Sequence, residues 1–260
     1  MKNNSSPRLV PFDKLRGLGT SLHEMERGEC SWLNVGSFLH RVEKGIKGMR
    51  IGFWILILVI SLTGCAKTVT QIVSYGSQMT VEITLRGNFD AAVNRYFLVL
   101  GSGSNLAVPL PPPDNITYEM LEPGDTPVQG DVADYYSTYY DTWAGYIIID
   151  PGGYYLVKGP FVQDQTNTRE AIANLGDPNN KLSFDFNLSK IFGNSVPDQI
   201  YFDFVSVAWP DGQEKLPSDH LSATNPYISK LVGSIKNIDN GDDTSVDAVL
   251  DITRCDVEIQ

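Results

Sequence analysis

From residue 79 onward, apolar and polar positions fall into short runs separated by Gly-, Pro- and Asp-rich breaks. Residues 79–86 set Val81, Ile83 and Leu85 against Thr80, Glu82 and Thr84, the two-residue period of a strand with one buried face. Residues 95–100 form a compact apolar strand. Residues 144–149 and 154–162 flank Asp150-Pro151-Gly152-Gly153, which reads as a turn between paired strands. Residues 181–188 and 199–208 are further strands. Residues 231–238 and 245–259 close the chain, joined by Asp239-Asn240-Gly241-Asp242, a hairpin composition. Helix is scarce: 168–175 and 188–192 predict one or two turns each, and 131–143 predicts a helix or an aromatic loop. The irregular stretch 101–125, with Pro109, Pro111, Pro112, Pro113 and Pro123, predicts a loop covering a sheet edge. The expected fold is all-β: an antiparallel β-sandwich, jelly-roll or immunoglobulin-like, of about eight or nine strands with one or two short helices. It occupies residues 79–260 as a single domain.

The N-terminal part follows a different pattern. Residues 51–62 are an apolar run preceded by Lys44, Lys47 and Arg50 and ending in Leu62-Thr63-Gly64-Cys65. As a helix the run reaches roughly 18 Å, short of the ~30 Å hydrocarbon core of a bilayer. A positive segment, a short apolar run and small residues before a cleavage point are the parts of a secretory signal. The segment resembles a bacterial lipoprotein signal peptide ending in a lipobox. That resemblance implies cleavage before Cys65, a diacylglyceryl thioether on its sulfur and acylation, by palmitate for example, of the new N-terminus. Two or three acyl chains anchor a protein stably where one is marginal. Residues 49–64 are then the signal peptide and 65–78 a lipidated tether. Ala66, where an Asp would favour retention at the inner membrane, leans toward the outer membrane if two membranes are present. Residues 1–48 have no helical or strand period, and the expectation is an over-extended gene start with Met49 as initiator. The alternative is a real, disordered extension.

Composition divides the chain at the same point. Residues 1–64 carry nine Lys and Arg against five Asp and Glu, a net +4, whereas 65–260 carry 11 against 26, a net −15. An exported part this acidic argues against phosphate-backbone binding, hence no nucleic-acid partner, and against docking on anionic head groups through charge. Cys65 and Cys255 are the only cysteines after processing, and a lipidated Cys65 leaves Cys255 without an intrachain partner. Cys30, upstream, has no comparable context.

Candidate chemistry is sparse. His220 is the single histidine of the exported part and has no nucleophile elbow near it, so neither a Ser-His-Asp triad nor a His-rich metal site is expected. Asp185 and Asp203 each sit between two phenylalanines on a strand, where Asp faces solvent; on neighbouring strands they would form a carboxylate pair suited to hydrolysis. Asp239, Asp242, Asp243 and Asp247 crowd one turn, read as a solvated tip with calcium at Asp239, Asp242 and Asp243 as the alternative. Tyr135, Tyr136, Tyr139, Tyr140 and Trp143 share one helical face, giving either a packed stripe or a surface on which sugar rings stack. The sugar-binding alternative requires those rings to be exposed and coplanar.

These residues point to a lipid-anchored, extracytoplasmic protein of the bacterial cell envelope, a non-catalytic binding or structural module with no cofactor beyond the calcium alternative. Its expected partners are the membrane and a glycan or envelope protein. The alternatives are a carbohydrate-binding sandwich using the 135–146 segment, and a secreted hydrolase using Asp185 and Asp203.

Overall fold

The computed structural model describes residues 74–113, 118–176 and 179–260. The upstream extension, the apolar run, Leu62-Thr63-Gly64-Cys65 and all but the last residues of the tether lie outside the described residues. The sandwich lies within Thr70–Gln260.

Two antiparallel sheets carry eleven strands among the described residues. The smaller sheet orders β10 (Ile235–Asp239), β11 (Ile252–Ile259), β1 (Gln78–Leu85) and β6 (Lys181–Asn187). The larger orders β5 (Arg169–Ala173), β4 (Gly153–Lys158), β3 (Gly145–Asp150), β2 (Asn94–Gly101), β7 (Gln199–Ala208) and β8 (Pro217–His220), with β9 (Tyr227–Ser229) also paired to β7. The all-β sandwich expected from patterning is therefore the observed fold, with more strands than the pattern predicts.

The main core lies between the sheets. Period-2 alternation turns Met79, Val81, Ile83 and Leu85 of β1 inward, against Leu98 and Leu100 of β2 and Phe202 and Phe204 of β7. Each such side chain, fully buried, contributes roughly 1.5–3 kcal/mol. β1 pairs at the centre of its sheet with both β11 (Met79↔Ile259) and β6 (Met79↔Phe186). Gly145 permits close approach: a Cβ there would lie 2.7 Å from Ile191 Cδ1 and 2.7 Å from the Val157 carbonyl.

A second core covers the outer face of the larger sheet. Phe97 and Val99 of β2, Tyr146 and Ile148 of β3 and Val205 and Val207 of β7 pack under residues 106–110 and 118–121 and the segment 132–143. This extra layer explains why β2 is buried on both faces and reads as a continuous apolar run. The proline-rich stretch thus covers a sheet face rather than an edge. Residues 169–173, predicted to be helical, form edge strand β5, because β4 offers a free line of backbone donors and acceptors and pairing overrides the local helix tendency of Glu170-Ala171. Residues 188–192 do form a short helix, α2 (Ser189–Phe192). β10 and β11 pair as expected, but residues 240–251 connect them in place of a tight hairpin. Arg86 gathers that connection: its Nε bonds the buried Asp251 carboxylate at 2.5 Å and its Nη2 donates to the carbonyls of Val246 and Asp243.

Candidate functional site

The aromatic segment forms because Asp131 caps it, accepting the Ala133 amide at 3.0 Å, and because i, i+4 spacing puts its rings on one side of α1 (Val132–Thr138) and the 3-10 turn Tyr140–Thr142. That side faces the sheet. Tyr135, Tyr136, Tyr139, Tyr140 and Trp143 are 2–8% exposed. They meet edge to face: Tyr136 on Tyr140 at 87° and Tyr140 on Trp143 at 68°. The covering loop engages the polar ends of three of them. The Glu119 amide donates to Tyr135 Oη, Tyr140 Oη donates to the Leu121 carbonyl, and Trp143 Nε1 donates to the Ala107 carbonyl. The exposed, coplanar rings that sugar stacking requires are not formed. The outer face of the larger sheet has to be covered, and these residues cover it.

The other sequence candidates are also placed apart from one another. Asp185 is on β6 of the smaller sheet, exposed and bonded to Gln78 Nε2 at 2.7 Å, whereas Asp203 is on β7 of the larger sheet. The carboxylate pair of the hydrolase alternative therefore does not exist in the folded domain. Asp203 instead faces His220 Nδ1 at 3.3 Å and accepts the Leu221 amide at 3.2 Å; burial raises its carboxyl above the usual range. At the 239–247 turn the carboxylates serve their own backbone. Asp239 Oδ1 accepts the Gly241 amide at 3.2 Å. Asp243 Oδ1 accepts both the amide and the hydroxyl of Ser245, which hold its carboxyl below the usual range. Asp242 is exposed. Among the described residues no group of three or more His, Cys, Asp or Glu is placed to hold a metal ion, so the calcium alternative finds no cluster there.

The structure draws attention to a charged cleft that patterning did not single out. It lies on the outer face of the larger sheet, where a cavity of about 500 Å³ adjoins one of about 440 Å³; Glu122, Asp125, Thr126 and Arg169 line both. Glu122 is the centre. Tyr146 Oη donates to Oε2 at 2.8 Å and Arg169 Nε donates to the same oxygen at 3.1 Å, while Arg169 Nη2 donates to Oε1. Arg169 Nη1 reaches Asp150 Oδ2 at 3.1 Å, so one guanidinium bridges two carboxylates.

Burial pushes the Glu122 carboxyl above the carboxylate range, against the pull of Arg169 and the Tyr146 hydroxyl. Burial also raises Asp125. Burial works against the Arg169 cation, but Glu122 together with Tyr146 and Asp150 outweighs it and holds Arg169 above its ordinary value. Tyr146, buried beside Glu122, is pushed far up and remains a hydrogen-bond donor throughout the working pH range. At one end of the cleft Trp209 carries Arg95 and Lys215 at 5.7 and 5.4 Å from its ring centre, and burial lowers Arg95. At the other, the Tyr136 hydroxyl lies beside the Gly124 backbone without a hydrogen bond of ordinary geometry.

Three cations, Arg95, Arg169 and Lys215, and three carboxylates, Glu122, Asp125 and Asp150, thus surround one open space. Such a lining suits a hydrophilic ligand that presents both donors and acceptors, through hydroxyl, amide or zwitterionic groups. Arg95 near the start of β2, Asp150 at the end of β3 and Trp209 just past β7 place this part of the cleft at one end of the strands. The chain enters the sandwich at the other end, at residues 74–78. Glu122 could not be found by patterning, since the 118–126 loop has no period. Trp209 was visible only as part of a Pro-Asp-Gly turn. Comparisons with protein-family models, with curated proteins and with solved structures find no match.

Proposed function

We propose that this chain is a lipid-anchored protein of the bacterial cell envelope, held through Cys65 on the extracytoplasmic side, that works by binding and not by catalysis. The ligand is a hydrophilic envelope molecule, a glycan or a peptide, taken into the cleft around Glu122 and Arg169. One observation carries the binding reading: three cations and three carboxylates line a single open cavity next to a half-buried tryptophan. Arg169 is already engaged by Glu122 and Asp150, which supports a preformed surface over a reacting group. The anchor reading is supported by Leu62-Thr63-Gly64-Cys65 at the end of the apolar run.

Two experiments test this. Metabolic labelling with an alkyne fatty acid should mark the wild type and not Cys65→Ala; equal labelling of both overturns the anchor. The detergent-solubilised protein, applied to glycan and peptide arrays with and without calcium, should bind a polar ligand that Trp209→Ala with Lys215→Ala weakens at least tenfold, about 1.4 kcal/mol. No binding in any condition, or binding indifferent to those two substitutions, overturns the cleft as its site.

A further inference from the structure

Where the described chain begins, four large apolar side chains gather in the open. Tyr75 is 61% exposed, Leu231 38%, Val232 51% and Ile235 64%. They belong to one corner: Tyr75 bridges Leu231, the Val232 amide donates to the Ser74 carbonyl, and the Gly76 amide donates to the Lys230 carbonyl. Gly233, at φ +78°, turns the connection between β9 and β10 tightly and leaves Leu231 and Val232 at its tip. Lys230 Nζ lies 4.5 Å from the Tyr75 ring centre and 2.8 Å from Asp198 Oδ1. Of the other large exposed apolar residues among those described, Val93 is at the far end of the strands, Val128 and Val162 are in the outer layer, and Tyr227 lies on β9 against the ring of Tyr201.

The occupant of this corner follows from the tether. Eight residues lie between Cys65 and Ser74, nine Cα steps with a reach of at most about 30 Å when fully extended, and Ser74 lies at the patch itself. Tyrosine, branched aliphatics and a lysine with an apolar stem are the side chains that sit comfortably at a lipid–water boundary. With a net −15 in residues 65–260, general charge would not hold the domain to anionic lipid, so contact has to rest on the apolar tip.

We propose that Tyr75, Leu231, Val232 and Ile235 seat the sandwich directly on the lipid surface to which the chain is anchored. The domain then stands on that end, and the Arg95–Asp150–Trp209 end of the cleft points away from the lipid. This rests on the anchor reading above.

The test uses the full chain, purified in detergent and reconstituted into phosphatidylcholine vesicles with lipid-borne doxyl quenchers. Val232→Cys and, as the far-end control, Val93→Cys each carry an environment-sensitive fluorophore; Cys255 is fully buried and stays unlabelled. Doxyl lipid should quench the probe at 232 about threefold or more over the probe at 93, as expected for side chains reaching the acyl boundary. Equal quenching at both positions overturns the proposal. A probe at 232 that is shielded from a water-soluble quencher in the vesicles yet not reached by doxyl lipid also overturns it, since a second copy or the chain itself then covers the corner. Fatty-acid labelling of the same preparation separates the two readings. If Cys65 is unlabelled the lipid anchor fails; Cys30 and Cys65 are then replaced by Ser so that the fluorophore marks 232 or 93 alone, and the vesicle arm still decides the seating, because the 51–62 segment would then hold the chain.

Discussion

Glu119 should prove one of the costliest side chains to remove from the outer layer. Its side chain is buried, and one carboxylate takes three backbone amides: Val128 at 2.6 Å and Gln129 at 3.2 Å on Oε1, and Lys215 at 3.1 Å on Oε2. It therefore ties the 126–130 loop and the 213–215 loop to the covering segment from which Glu122 projects. Hydrogen bonds to a charged group contribute about 1.5–3 kcal/mol each and are not additive, and three orphaned amides carry a desolvation penalty of similar size. Glu119→Ala should cost about 3–5 kcal/mol. Glu119→Gln, which keeps the shape but turns one acceptor into a donor facing an amide, should cost about 2–3 kcal/mol. The assay is urea unfolding followed by tryptophan fluorescence. At a slope near 2 kcal/mol/M the alanine variant should shift the midpoint down by about 1.5–2.5 M. Asp198→Ala serves as control, because the Asp198 side chain is 87% exposed and its pair with Lys230 contributes about 0–1 kcal/mol. A Glu119→Ala midpoint within 0.5 M of wild type, on the order of 1 kcal/mol, would refute the reasoning.

Arg86→Ala leaves the buried Asp251 carboxylate without its cation and frees the 240–251 connection; the expected loss is about 3–5 kcal/mol by the same unfolding assay, and a loss under about 1 kcal/mol would contradict the clamp. Burial raises four carboxyls, Glu122, Asp125, Asp203 and Asp219, above their unfolded values. Folding therefore takes up protons: this contribution is complete below the unfolded value near 4 and is lost as pH rises through the folded values. The melting temperature should accordingly be higher at pH 5 than at pH 8, and a steady rise from 5 to 8 contradicts the assignment. Burial also raises the Cys255 thiol, which lies between the sheets; it should react with a disulfide reagent on the order of 1,000-fold more slowly in the native protein than in denaturant, and comparable rates would place it at the surface.

The legible parts of the fold were those where one face meets the core and the other meets water. β1 reads directly, because Val81, Ile83 and Leu85 alternate with polar neighbours. β5, β8 and β9 did not read, because pairing to an existing edge makes them strands and their three to five residues hold no period. The second core was visible only as one of two readings: Tyr135, Tyr136, Tyr139, Tyr140 and Trp143 fit a packed stripe better than a binding surface, but the sheet face they cover became evident only with the outer face of β2 and β3. The cleft was the least legible. Glu122, Asp150 and Arg169 are far apart in sequence; the pairing of β3, β4 and β5 brings Asp150 to the Arg169 guanidinium, and the covering loop laid over that sheet brings Glu122.

The central pairing of the smaller sheet sets an order of events. Met79 lies opposite Ile259, so the first strand of the sandwich finds this partner in its eleventh, after some 180 intervening residues. A ribosome or an export channel delivers the N-terminal strand first, and its apolar face must wait through almost the whole length of the domain for β11. A nonsense codon at Ile252 would remove a central strand, and with it the link between β10 and β1.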